Sequence, residues 1–155
     1  MIIYQEQQKT YFILILVFII MAFFILASLF FPSFLGLKDL SNIGQIILGL
    51  AAAVDLVLFW CFRQLTILAD DVSLNFGFGF MKKRFFWHNL KSAQAEDFDL
   101  KNYLGYGIRV GRDKSIAFAA QGGRGVRLKT IGKDYFFSCS NPEKLASLIN
   151  EKIKS

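Results

Sequence analysis

The 155-residue sequence predicts a membrane α-helical hairpin followed by an α+β domain, in which antiparallel strands are closed by a C-terminal amphipathic helix. Three observations predict it. Two long apolar runs fill most of the first 62 residues, apolar and polar residues alternate at short intervals after Arg63, and the last residues return to helical spacing. The boundary is sharp, so the expected domains are a two-helix anchor at 1–63 and a second domain at 65–155.

The first run, residues 11–31, carries no charge, and at 1.5 Å per residue its about 21 positions cover a hydrocarbon layer of about 30 Å. The polar residues 1–10 before it and the Phe30-Phe31-Pro32 after it speak against a cleaved signal peptide. Residues 32–42, with Pro32, Gly36, Lys38, Asp39 and Ser41, read as a short inter-helix loop. A second run at 43–62 is interrupted only by Gln45 and Asp55 and ends in Trp60 and Arg63, an interfacial aromatic and a cation. Only Lys9 and Lys38 among the cations precede Arg63, so the net charge of +6 belongs to the second half. The positive-inside rule then puts both termini of a multi-pass cell (inner) membrane protein in the cytoplasm. A hydrophobic content of 54% with 18 Phe exceeds what a soluble core of this length needs.

Strands are expected at 65–70, 73–79, 85–98, 107–111, 116–121, 126–131 and 134–139. The clearest alternation is Val126-Arg127-Leu128-Lys129-Thr130-Ile131. Asn141-Pro142-Glu143 then marks a helix start, and Leu145, Leu148, Ile149 and Ile153 form one apolar stripe.

Seven short strands with a closing helix, the stretches Gly105-Tyr106-Gly107-Ile108-Arg109 and Gly122-Gly123-Arg124-Gly125-Val126, and the Asn141-Pro142-Glu143-Lys144-Leu145 helix start together resemble bacterial two-span membrane proteins with a C-terminal pleckstrin-homology-like (PH-like) domain. The resemblance implies a seven-stranded antiparallel barrel or sandwich and a lipid-proximal or protein-binding adaptor. The first hairpin turn is Asp70-Asp71, where phosphoinositide-binding members carry basic residues.

An up-and-down meander would return every second loop to the membrane side. That places Phe80, Met81, Lys82, Lys83 and Arg84, then Arg112 with Lys114, then Lys133 beside lipid headgroups, where each cation contributes about 1 kcal/mol. Asp70, Asp71 and the 97–99 region fall on the far side, with Arg124 as an exception. In the second run Gly44, Ala51, Ala52 and Asp55 share neighbouring helical positions and form an expected helix contact, since a carboxylate facing lipid costs about 2.5–3.5 kcal/mol. Ion transport through Asp55 is the sharper alternative.

His88 is the only histidine, and Cys61 and Cys139 lack metal or redox spacing, so no catalytic set can be assembled and no cofactor or metal is expected. Gly122-Gly123-Arg124-Gly125 lacks the Lys-Ser/Thr and helix of a phosphate loop and reads as a tight turn. No aromatic-basic RNA motif is present, and nucleic acid is not an expected partner. The expected function is a membrane-anchored, non-enzymatic interaction or scaffold module, an accessory subunit of a membrane complex. Its partners would be membrane lipids and a membrane protein or a second copy. An anionic-lipid sensor is the alternative.

Overall fold

A computed structural model describes residues 2–10, 12–30 and 42–155, and within the first two helices the side chains at 15, 16, 18–23, 25, 26, 46 and 49–62. The chain divides into two units, one made of Met1–Tyr11 with Phe62–Ser155 and one of Phe12–Cys61. The latter is helical, with α1 at Phe12–Phe30 and α2 at Asn42–Phe62.

Among the described residues no helix is long and apolar enough to cross a membrane. The membrane hairpin expected at 11–31 and 43–62 is therefore not upheld. The inner-membrane, multi-pass placement with cytoplasmic termini falls with it, as does the two-span family resemblance built on it. The loop expected at 32–42 lies, up to residue 41, outside the described residues.

The β unit opens with a strand that alternation did not reveal. β1 (Ile2–Lys9) pairs antiparallel with β2 (Gln64–Asp70), from Lys9 opposite Gln64 to Tyr4 opposite Ala69, with a bulge between Ile2 and Tyr4. Residues 10–63 are thus inserted between two neighbouring strands. The Thr10 N–H donates to the Arg63 carbonyl at 3.0 Å and its hydroxyl to the Phe62 carbonyl, which closes the base of the insertion. β3 (Ser73–Phe78) and β4 (Met81–Phe86) complete a four-stranded sheet in the order β1-β2-β3-β4.

The second sheet holds β5 (Leu90–Asp97), β6 (Gly107–Val110), β7 (Ile116–Ala119), β8 (Arg124–Thr130) and β9 (Tyr135–Ser138) in the order β5-β8-β9-β7-β6. α3 (Leu100–Tyr103) lies in the β5–β6 connection, and α4 (Pro142–Lys154) ends the chain. The seven-stranded antiparallel barrel is therefore corrected to two separate sheets of four and five strands, with β7 and β9 parallel. One cause is local. The expected strand 85–98 breaks at a 3-10 turn, Trp87–Asn89, because Trp87 caps the β2–β3 turn: its indole Nε1 donates to the Asp70 carbonyl at 3.2 Å and its N–H to the Val72 carbonyl at 3.4 Å.

Between the sheets Phe76 of β3 stacks on Phe137 of β9 at 4.5 Å and meets Phe118 of β7 edge-to-face at 5.2 Å. β2 buries Leu65, Ile67 and Ala69 on the same side, the alternation expected of a half-covered strand. α4 covers the core with Leu145 and Ile149, both fully buried. The Asn150 amide bonds the Ala93 N–H at 2.9 Å and the Ala93 carbonyl at 2.8 Å, so the helix supplies part of what a further strand would give to the β5 edge.

β1 is joined to the second sheet by polar contacts. Ser140 donates to the Glu6 carboxylate from its N–H (2.8 Å) and hydroxyl (2.7 Å), while the Ser138 hydroxyl donates to Gln8 Oε1 at 2.7 Å. Burial alone would raise the Glu6 carboxyl, but hydrogen bonds from Tyr4, Ser140 and Gln8 outweigh it and hold the group below its usual range. The stability it contributes is therefore present above the free carboxyl value of about 4.3 and is lost as pH falls through the lower folded value. Glu6→Gln is expected to cost about 1 kcal/mol at pH 7, a gap that closes as urea denaturation is repeated toward pH 3. At Gly77, with φ of +152°, a Cβ would lie 2.2 Å from the Met81 carbonyl oxygen. Gly77→Ala is expected to cost more than about 1 kcal/mol in the same assay and to loosen the β3–β4 hairpin.

Candidate functional site

The β3–β4 hairpin turns through Gly79-Phe80, with Phe78 opposite Met81. Phe80, 74% exposed, is at the tip, whereas Lys82, Lys83 and Arg84 lie within β4 and not in a loop. Strand alternation sends Phe85 inward onto Phe76, at 5.7 Å, and leaves Lys82, Arg84 and Phe86 on the outer face. All three cations are exposed. Arg84 Nε donates to the Ser73 hydroxyl at 3.0 Å, and its guanidinium lies 5.2 Å from the centre of the Phe86 ring. Ser73 is itself held by Asp70, whose Oδ1 accepts from the Val72 N–H at 2.9 Å and the Ser73 N–H at 2.6 Å. These bonds, the Val72 one first, keep the Asp70 carboxyl below its usual range. The Asp70-Asp71 turn thus anchors Arg84.

β4 pairs only with β3, so its other side is an open sheet edge among the described residues. Lysine on an edge strand discourages pairing with neutral strands. Three consecutive exposed cations concentrate positive charge along this edge.

The other expected headgroup residues are not gathered with this hairpin. Phe78 pairs with Leu65, so the Gly79-Phe80 turn lies at the Arg63 end of the sheet. A Cβ at Gly107 would lie 3.8 Å from the Phe62 ring, which puts the start of β6 at that same end. The loop carrying Arg112 and Lys114 follows the opposite end of β6. Because β7 and β9 run parallel, the loop carrying Lys133 leads into β9 at that opposite end too. The meander that sorted these charges onto one side does not exist.

Arg112 instead borders a shallow depression of about 330 Å³ with Asp99, Lys101, Asn102, Asp113 and Arg127. Its centre is Arg127, which faces Asp113 at 3.0 Å, Glu96 at 2.8 Å and Asp134 at 3.8 Å. The Glu96 contact is an ion pair without hydrogen-bond geometry, since Nε has no hydrogen-bond partner. Burial would raise the Asp113 carboxyl, but bonds from Ser115, Asn102 and Arg127 hold it well below the carboxylate range. The guanidinium ties β5 to the β6–β7 and β8–β9 connections and is already neutralised.

Four further residues lie on α2. Ala52 is half-buried, Asp55 is 6% exposed and Ala51 is exposed, while the surroundings of Gly44 are outside the described residues. The outer surface of the helical pair is apolar, with Ile46, Leu50, Leu56 and Trp60 each more than 60% exposed.

His88 is exposed and stacked 5.8 Å from Phe86. Cys139 is buried, which pushes its thiol up to about 12 and leaves it a poor nucleophile. Gly125 lies in β8, where a Cβ would meet the Phe137 carbonyl oxygen at 2.3 Å, so part of the glycine cluster serves close packing. Among the described residues no group of three or more His, Cys, Asp or Glu could hold a metal ion. Sequence reasoning missed β1 and the Asn150 bridge. Comparison with family models, curated proteins and solved structures finds no match for the chain.

Arg127→Met would leave Asp113, Glu96 and Asp134 facing one another. Loss of such a largely covered cation is expected to cost about 2–4 kcal/mol at pH 7, read as a lowered urea midpoint.

Proposed function

We propose that the chain is a non-enzymatic interaction module whose β4 edge accepts an extended acidic segment of a partner protein as an added strand. The observation that carries this reading is the open edge of β4 with Lys82, Lys83 and Arg84 exposed in succession. Strand addition supplies main-chain hydrogen bonds, and the side chains supply the choice of partner. Charge selects β4 over β1, the other edge of that sheet, whose exposed positions include Gln5 and Gln7.

Successive strand residues point to opposite faces, so Lys82 and Arg84 meet a partner on one face and Lys83 on the other. Neutralising all three calls for consecutive acids, not alternating ones. The probe is therefore the blocked heptapeptide Thr-Val-Glu-Glu-Glu-Val-Thr, titrated into the full chain with amide shifts and hydrogen exchange followed. Binding is expected to protect β4 amides and weaken with salt. The triple change Lys82→Glu, Lys83→Glu, Arg84→Glu is expected to reduce affinity at least tenfold while leaving the circular dichroism spectrum unchanged. Absence of binding, or binding that the charge reversal does not alter, would overturn the reading.

A further inference from the structure

Asp55 is the buried ionisable group that the sheet edge leaves unexplained. It is 6% exposed. Its side chain lines a cavity of about 110 Å³ within the helical pair, together with Phe18, Ile19 and Ala22 of α1 and Leu56 and Phe59 of α2. The Phe18 and Phe59 rings meet edge-to-face there, with centroids 6.1 Å apart and planes at 71°. Ile19 and Leu56 are more than half exposed, so the cavity is open along one side and a ligand can enter without unfolding the helices.

A carboxylate largely covered by apolar side chains is stabilised by a nearby cation. The lining decides which cation. A divalent metal needs about six oxygen ligands, and among the described residues of this lining Asp55 alone has a side-chain oxygen. A guanidinium offers five N–H donors and would leave most of them unanswered against Phe, Ile, Ala and Leu. A primary ammonium is compact: it can place its charge on the carboxylate and beside the π faces of Phe18 and Phe59, with its methylenes against Ala22 and Leu56. An apolar cavity of about 150 Å³ takes one benzene, so this one, open along one side, has room for about four to five heavy atoms. That is the size of n-butylammonium, which is also the end of a lysine side chain.

We propose that the helical pair binds a primary alkylammonium group of about four carbons, with Asp55 as its counter-ion. The test is calorimetric titration of the full chain with n-butylammonium, with its neutral isostere 1-butanol and with Nα-acetyl-lysine methylamide, while NMR follows the Phe18 and Phe59 ring signals. n-Butylammonium is expected to move those signals and to bind at least tenfold more tightly than 1-butanol. Asp55→Asn is expected to remove that preference, and Ala22→Leu, which fills the cavity and keeps the carboxylate, to block binding with helicity unchanged. Equal binding by the lysine derivative would support the proposal and assign the ammonium to a protein chain, whereas binding by the free amine alone would support it with a small molecule as source. No binding of n-butylammonium, equal binding of 1-butanol, or full affinity in either variant would overturn it.

Discussion

The β unit depends on the contact between Phe76 and Phe137. Their rings, one from each sheet, stack at 4.5 Å, and Phe118, Phe85 and Tyr135 surround Phe76 at 5.2 to 6.2 Å. Buried aromatics contribute large apolar area together with preferred ring geometry, so this cluster fixes the face on which the two sheets meet. The inward residues of β2 and β3 follow from it, and so does the inward turn of Phe85 on β4. With Phe85 held, alternation alone sends Lys82 and Arg84 outward. The orientation of the basic edge is a consequence of core packing, and that is why its cations can remain exposed without loosening the fold.

Two sheets that do not close into a barrel have edges, and the chain treats them differently. At β5 the Asn150 amide occupies both backbone groups of Ala93. At β1 the inward side chains Glu6 and Gln8 bond Ser140 and Ser138, which ties an otherwise weakly apolar strand to the opposite sheet. β6 is only four residues long. β4 carries its protection as charge, three exposed cations that discourage pairing with neutral strands.

Some of this was legible in the sequence. Strong alternation showed the strand around Val126 to Thr130, and Asn141-Pro142 with the Leu145–Ile149 stripe showed the last helix. β1 left no such trace, because Tyr4, Glu6 and Gln8 take the inward positions and satisfy them by hydrogen bonding, so no apolar period exists to be found. The break after Phe86 carries no Gly or Pro; it is imposed by Trp87 reaching the β2–β3 turn across 17 residues of sequence. That added strand, together with the parallel β7–β9 pairing, defeats any assignment of loops to sides made by counting. Of the expected headgroup set, Lys82 to Arg84 remain together because they share one strand. Arg112, Lys114 and Lys133 separate from them because their grouping needed the topology to be right.

The two helices pose the complementary problem. Hydropathy makes their apolar character obvious, and their outward side chains stay exposed in the chain taken alone. What hydropathy cannot register is that one carboxylate among such residues changes the chemistry of its surroundings more than several further leucines would. An apolar cavity without Asp55 would select ligands by shape and volume, in increments of a methylene group. With it, selection turns on charge, because a neutral guest leaves the buried carboxylate uncompensated and a compact cation does not. The basic strand edge works by the same logic with the sign reversed. In both units the specificity that the structure offers comes from charge placed where the local fold leaves it incompletely answered.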